Sequence, residues 1–191
     1  MGGGDKSLQP LGTATLLDHV IMRLRPQCAV LALNANGDPA RFARFDLSVL
    51  ADPLPDHPGP LAGVLAGLDW AAELGAEAIV TAAADTPFFP RDLAARLRQA
   101  ARDEGKPIAL AAAPDETGAP RRHPTFGLWP VALRDDLRRE LGGGLRKIVL
   151  WANRHGAATA LFEADALDPF FNVNTPQDMA RAQAMLAGGA L

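Results

Sequence analysis

Residues 78–90 read AIVTAAADTPFFP, and residues 91–105 continue RDLAARLRQAARDEG. The seven residues before Asp85 are apolar except for Thr81 and do not alternate, as in a strand buried on both faces. TPFFP is a turn, and the stretch after it is a helix stopped by Gly105. A strand that passes through a polar tip into a helix is the repeating unit of a parallel sheet covered by helices.

The same alternation extends in both directions. Upstream, Leu16, Leu17, Val20, Ile21 and Leu24 share a helical face behind Thr15 as a cap; CAVLALN (28–34) and SVLAD (48–52) read as strands. LAGVLAGLDWAAEL (61–74) is a helix with Pro60 in its first turn and Gly75 at its stop. Downstream, PIALAAA (107–113) is a strand, PDETGAPRRHP (114–124) a polar loop, and PTFGLWP (124–130) a further strand. Two helical stretches flank Gly142 to Gly144, and ATALFE, a short FNVN segment and a helix from Gln177 complete the chain. The expectation is one domain over residues 1–191 with an α/β fold, a mostly parallel, doubly wound sheet between two helical layers. Ligands of such sheets sit beyond the carboxyl ends of the strands, where Asn34, Asp52, Asp85 and Asn174 would converge.

Bulk properties narrow the function classes. The 191 residues suit one substantial core, and 48% hydrophobic with 21% charged residues is ordinary for a packed domain. A net charge of −3 gives no footprint for nucleic acid. No apolar run reaches the roughly 18 residues of a membrane span, and the polar, Gly-rich start is unlike a signal peptide, so a cytoplasmic location is expected. The one cysteine, Cys28, lies in an apolar run and reads as a buried bystander.

Several residues invite chemistry, each with a plainer alternative. GGGDK (2–6) allows backbone amides to face an anion beside the point charge of Lys6, or is simply a Gly-rich terminus. Asp85, at a strand tip, suits a hard cation such as Mg²⁺, or caps a turn; Asp52 carries the same ambiguity. PGPLAG (58–63) permits close backbone approach at a helix start or is a structural joint. RRHP (121–124) could meet a phosphorylated substrate or be a solvated loop. His19, His57 and His155 lack metal-site spacing. Neither GxSxG nor HExxH is present. That absence fits a reaction whose attacking group is a phosphate, already ionised and needing only charge neutralisation and in-line positioning.

MGGGDK, LNAN (33–36), Asp52 with PGPLAG, AADTPFFP (83–90), RHPTFGLW (122–129) and FNVNTPQD (171–178) together resemble the molybdenum cofactor guanylyltransferases, nearly end to end and in order. The resemblance implies a three-layer nucleotidyltransferase fold of the nucleotide-diphospho-sugar transferase kind. It implies transfer of GMP from GTP to molybdenum-molybdopterin, with Mg²⁺ and release of pyrophosphate. By position, Lys6 would contact the nucleotide phosphates, Asn34 and Asp52 would bind GTP, and Asp85 would bind GTP and Mg²⁺. Asn172 and Asn174 would line the reacting end on the pterin side. Implied partners are the two substrates and, transiently, molybdoenzyme maturation proteins.

The family's hallmark reads LAGGxSxRMGGxDK, and this chain starts at the Met of that motif. The resemblance therefore implies that a strand between CAVLALN and AIVTAAAD, with its LAGG backbone, lies upstream of Met1 in the intact protein. Without it, unpaired strand groups would cost about 1–3 kcal/mol each where buried. The rival readings are a cytidylyltransferase of the same cofactor, which would show DIDTP in place of NVNTP and no PGPLAG, and a noncatalytic cofactor-binding module.

Overall fold

The computed structural model describes residues 5–54, 59–163 and 168–189. A single 3-10 turn, Lys6–Leu8, opens the described chain, followed by a small antiparallel pair, β1 (Pro10–Leu11) and β2 (Ala14–Thr15). Helix α1 (Leu16–Leu24) begins in a capping box: the Thr15 hydroxyl accepts from Asp18 N, and the Asp18 carboxylate accepts from Thr15 N at 2.8 Å. Strand β3 (Ala32–Asn34) pairs in parallel with β4 (Ser48–Leu50), with a 3-10 helix, Pro39–Phe45, between them. After α2 (Pro60–Glu73) come β5 (Ala78–Thr81), α3 (Leu93–Asp103), β6 (Ile108–Pro114) and β7 (Pro120–Pro130). Then follow α4 (Arg134–Gly142), α5 (Ile148–His155), β8 (Ala157–Leu161) and α6 (Pro176–Ala187).

The larger sheet has the order β5-β7-β6-β8. Three of its strands run the same way, and β7 alone runs against its two neighbours. Alternation along β6 builds the layers. Ala109, Ala111 and Ala113 pack with Phe126, Ala158 and α3 on one face, while Ile108 and Leu110 pack with Trp129, α2, α4 and α5 on the other. The result is the expected three-layer α/β/α arrangement, with α1 and α3 opposite α2, α4 and α5. Among the described residues no helix is long and apolar enough to cross a membrane.

Several local expectations need correction. The loop expected over 114–124 is a tight turn only over Asp115–Ala119, where Asp115 Oδ1 accepts from the backbone N–H groups of Thr117 and Ala119. That turn starts a hairpin, so Arg121, Arg122 and His123 are strand residues opposite Ala113, Ala112 and Ala111. The short FNVN segment (171–174) is extended chain without strand pairing, held by backbone bonds from Phe171 N to Asp168 O at 3.1 Å and from Val173 N to Asp85 O at 2.9 Å. Cys28 is half-buried where full burial was expected, and its burial pushes the thiol's pKa up.

The two strands read over 28–34 and 48–52 shrink to three residues each. The reason is visible at β3, which pairs with β4 on one side only. On its other side β3 faces β5 across a largely apolar slot of about 760 Å³, lined among others by Leu24, Leu33, Val64, Ile79 and Val80. β3 and β5 do not hydrogen-bond across it. Gly2 to Gly4 and His57 lie outside the described residues.

Candidate active site

Asp5 accepts from the Ser7 hydroxyl at 2.8 Å and caps the turn whose first residue is Lys6. The Lys6 ammonium thereby reaches Asp85 Oδ2 at 2.7 Å, in a half-buried ion pair. It also donates to Asn172 Oδ1 at 3.4 Å and to Asn174 Oδ1. Residues 6, 85, 172 and 174, far apart in sequence, thus share one point.

Each partner is held from behind. Thr86, Phe88 and Phe89 are buried, and the Arg23 guanidinium donates to Phe89 O at 2.9 Å, anchoring the turn that carries Asp85. Val173 is 1% exposed and packs with Leu11, Leu16 and Phe88, so the asparagines on either side of it face outward to Lys6. A second capping box starts α6: Thr175 accepts from Asp178 N at 3.1 Å, and Asp178 Oδ2 accepts from Thr175 N at 2.8 Å and also from Asn174 N at 3.0 Å. The Thr175 hydroxyl and backbone hold the Asp178 carboxyl below its ordinary pKa, so it stays ionised and fixes the Asn174 backbone.

A second polar corner forms at the carboxyl ends of β3 and β4. Asn34 Nδ2 donates to Asp52 Oδ1 at 3.0 Å and to Leu50 O at 3.0 Å. Asn36, which sequence reasoning did not single out, donates Nδ2 to Asp52 Oδ2 at 2.8 Å and accepts from Asp52 N at 2.9 Å. Gly63 in α2 leaves room for this corner, since a Cβ there would come within 2.3 Å of Asn34 Oδ1. The six expected residues therefore fall in two groups, Lys6, Asp85, Asn172 and Asn174 in one and Asn34 and Asp52 in the other. The one signal that could have found Asn36 is the Asn-x-Asn spacing, which sets both side chains on one side of an extended chain.

The remaining candidates have structural occupations. Arg122 donates to Thr159 Oγ1 at 2.7 Å and to Asn153 Oδ1 at 2.9 Å, and Arg121 pairs with Asp168 at 2.8 Å. His123 stacks on Phe170 with ring centroids 4.5 Å apart, and burial lowers its pKa. His155 meets Asp136 at 2.7 Å, and His19 Nε2 stands 2.9 Å from Leu11 O. Gly142 to Gly144 end α4. Among the described residues no cluster of three or more His, Cys, Asp or Glu could hold a metal ion. The oxygens of Asp85, Asn172 and Asn174 nevertheless already surround a cation, the Lys6 ammonium. This hard-oxygen set suits Mg²⁺, which commonly takes one or two carboxylates and leaves the rest to substrate phosphates.

Comparison with known proteins sets this arrangement among its relatives. The profile of the MobA-like NTP transferase domain matches residues 1–158. A molybdenum cofactor guanylyltransferase of Rhodopseudomonas palustris (strain HaA2) is 53% identical over 188 residues, spanning 97% of this chain and 86% of the relative. One of Nitrobacter hamburgensis is 48% identical over 98% of this chain and 88% of the relative. Among solved structures, the molybdopterin-guanine dinucleotide biosynthesis protein A of Archaeoglobus fulgidus superposes with a TM-score of 0.72 at 21% identity, over 97% of this chain and 92% of that one. The 2-C-methyl-D-erythritol 4-phosphate cytidylyltransferase of Thermus thermophilus gives 0.67 at 21% identity, over 95% and 94%. At that identity the two structures establish the fold.

Proposed function

Because the chain belongs to the MobA-like NTP transferase family, we propose that it transfers GMP from GTP to the terminal phosphate of molybdenum-molybdopterin and releases pyrophosphate. The observation that carries this reading is the meeting of Lys6 and Asp85 at 2.7 Å with Asn172 and Asn174 around them, an anion and cation site built from distant segments. The Asn34–Asp52 pair supplies a separate corner for the base.

The acceptor phosphate is ionised at neutral pH and needs no protein base. One of its oxygens forms a bond to the α-phosphorus of GTP while the bond from that phosphorus to the α–β bridging oxygen breaks, and pyrophosphate leaves with the electron pair. Lys6 neutralises triphosphate oxygens as a fixed point charge. Asp85 and the two asparagine oxygens would hold Mg²⁺, which when bound offsets phosphate charge and stabilises the leaving group. The Asp52 carboxylate accepts the N1–H and the 2-amino group of guanine, and Asn172 and Asn174 stand toward the pterin side. Cytosine presents one amino donor beside the ring N3 acceptor, whose lone pair a carboxylate repels, so the corner favours guanine.

The test is pyrophosphate release in the presence of molybdenum-molybdopterin, with GTP against CTP. Turnover with GTP, lost in Asp85→Ala, supports the reading. Preference for CTP would make the protein a cytidylyltransferase, cofactor binding without turnover would make it a carrier, and full activity in Asp85→Ala would refute the metal role.

A further inference from the structure

The base corner and the Lys6 turn belong to different elements, and one side chain joins them. Arg41, in the Pro39–Phe45 helix, donates Nη2 to the backbone carbonyl of Asn36. Its Nε stands 3.2 Å from Asp5 Oδ2. Asn36 in turn grips Asp52 twice, through its carboxylate at 2.8 Å and its backbone N–H at 2.9 Å. Asp5 uses its other oxygen, Oδ1, to cap the Lys6 turn through Ser7. The polar contacts run without a break from Asp52 through Asn36, Arg41 and Asp5 to the turn of Lys6. Gly37, at φ +84°, gives the guanidinium room: a Cβ there would lie 3.0 Å from Arg41 Nη1.

We propose that Asn36 and Arg41 are positioning residues for nucleotide selection: Asn36 aims the Asp52 carboxylate at a purine edge with two N–H donors, and Arg41 fixes the spacing between that carboxylate and Lys6. The inference rests on the reading of Asp52 as the group that meets guanine. An ionised carboxylate has about four lone-pair sites. Asn34 and Asn36 take one on each oxygen, which leaves one on each for the paired N–H groups of guanine. Without Asn36 one oxygen loses its partner and the carboxylate is free to turn. Arg41 reaches two acceptors at once because its guanidinium is a planar fork; lysine offers a point charge. The Arg41–Asp5 pair is partly exposed, and such pairs add little to stability, so Arg41 can be removed with the fold intact.

The experiment measures nucleotide affinity by calorimetry with Mg²⁺ present, for GTP, ITP and guanosine, alongside thermal unfolding. ITP lacks the 2-amino group, so the GTP-to-ITP ratio reads the aim of Asp52. Asn36→Ala is expected to cut that ratio about tenfold, the size of one hydrogen bond to a charged group. Asn36→Ser serves as the second variant should the first fold poorly. The gain of GTP over guanosine reads alignment of base with phosphates. Arg41→Ala is expected to lower that gain about fivefold or more, a typical coupling between sites, and Arg41→Lys not to restore it. A merely structural role would shift the melting temperature and leave both ratios alone. Should Asp52→Ala lose the GTP-to-ITP preference while the Asn36 variants keep it, the role of Asn36 is overturned. An unchanged GTP-to-guanosine ratio in Arg41→Ala overturns that of Arg41. If Asp52→Ala itself keeps the preference, the reading of the base corner fails, and this inference with it.

Discussion

The Lys6 ammonium and the Asp85 carboxylate lie 2.7 Å apart, so each balances the other's charge before any substrate arrives. Asp85→Ala is expected to lower pyrophosphate release on the order of 10²–10³-fold, the cost typical of losing one preorganised electrostatic group. Asp85→Asn, which keeps the shape and removes the charge, should recover little. Gly63 offers a milder probe. A methyl there would come within 2.3 Å of Asn34 Oδ1 and push that side chain off Asp52. Gly63→Ala should therefore raise the KM for GTP with kcat nearly unchanged, while helix α2 gains propensity and the melting temperature does not fall. A drop in melting temperature with unaltered KM would show that the glycine serves packing alone.

At the scale of elements, the α6 cap links stability to the site. Thr175→Ala removes half of a capping box and should cost about 1 kcal/mol, read from a denaturant midpoint. It should also weaken turnover, because the same box holds the Asn174 backbone. Elements of this kind were legible in the sequence because their signals are local. Thr15, Pro60, Gly75 and Gly105 bound helices α1 to α3 closely to where caps and stops predict. The start of β7 was not legible. RRHP looks solvated, and only a turn closed by Asp115 and pairing against the alanines of β6 make it a strand. Asn36 and Arg41 escaped notice for a related reason, since their partners are set by how β3, β4 and the Pro39–Phe45 helix meet in space. Lys6, Asp85, Asn172 and Asn174 were legible through the resemblance, whereas their convergence depends on Val173 turning inward. Hydrogen exchange should separate the strands. Amides of β6, paired on both sides, exchange slowest, and those of β3 and β5 that alternate toward the slot exchange fast. Equal protection of β5 and β6 would contradict an open edge.

For the whole molecule, His123 gives stability a pH dependence. Burial lowers its pKa in the folded state, so the unfolded chain binds the proton more readily. Its contribution to stability is complete above the unfolded value of about 6.5 and is lost as pH falls through that range toward the folded value. The melting temperature should drop as pH falls below about 6.5 on this account. His123→Phe, which keeps the stack on Phe170, should flatten that part of the profile. The slot between β3 and β5 acts at the same scale. It divides the molecule into a side with Asn34 and Asp52 and a side with Asp85, bridged by α1 and α2. Leu17 of α1 packs with Phe42 and Phe45 while Val20 packs with Phe89 and Leu93. A nucleotide held by its base at one corner and its phosphates at the other crosses that seam and works as a removable crosslink. GTP at about 100 times its dissociation constant would add about 2.7 kcal/mol by mass action, and in scanning calorimetry it should also sharpen the transition. Guanosine and pyrophosphate added together occupy both corners yet leave the halves unjoined, and the two sides then melt with less cooperativity.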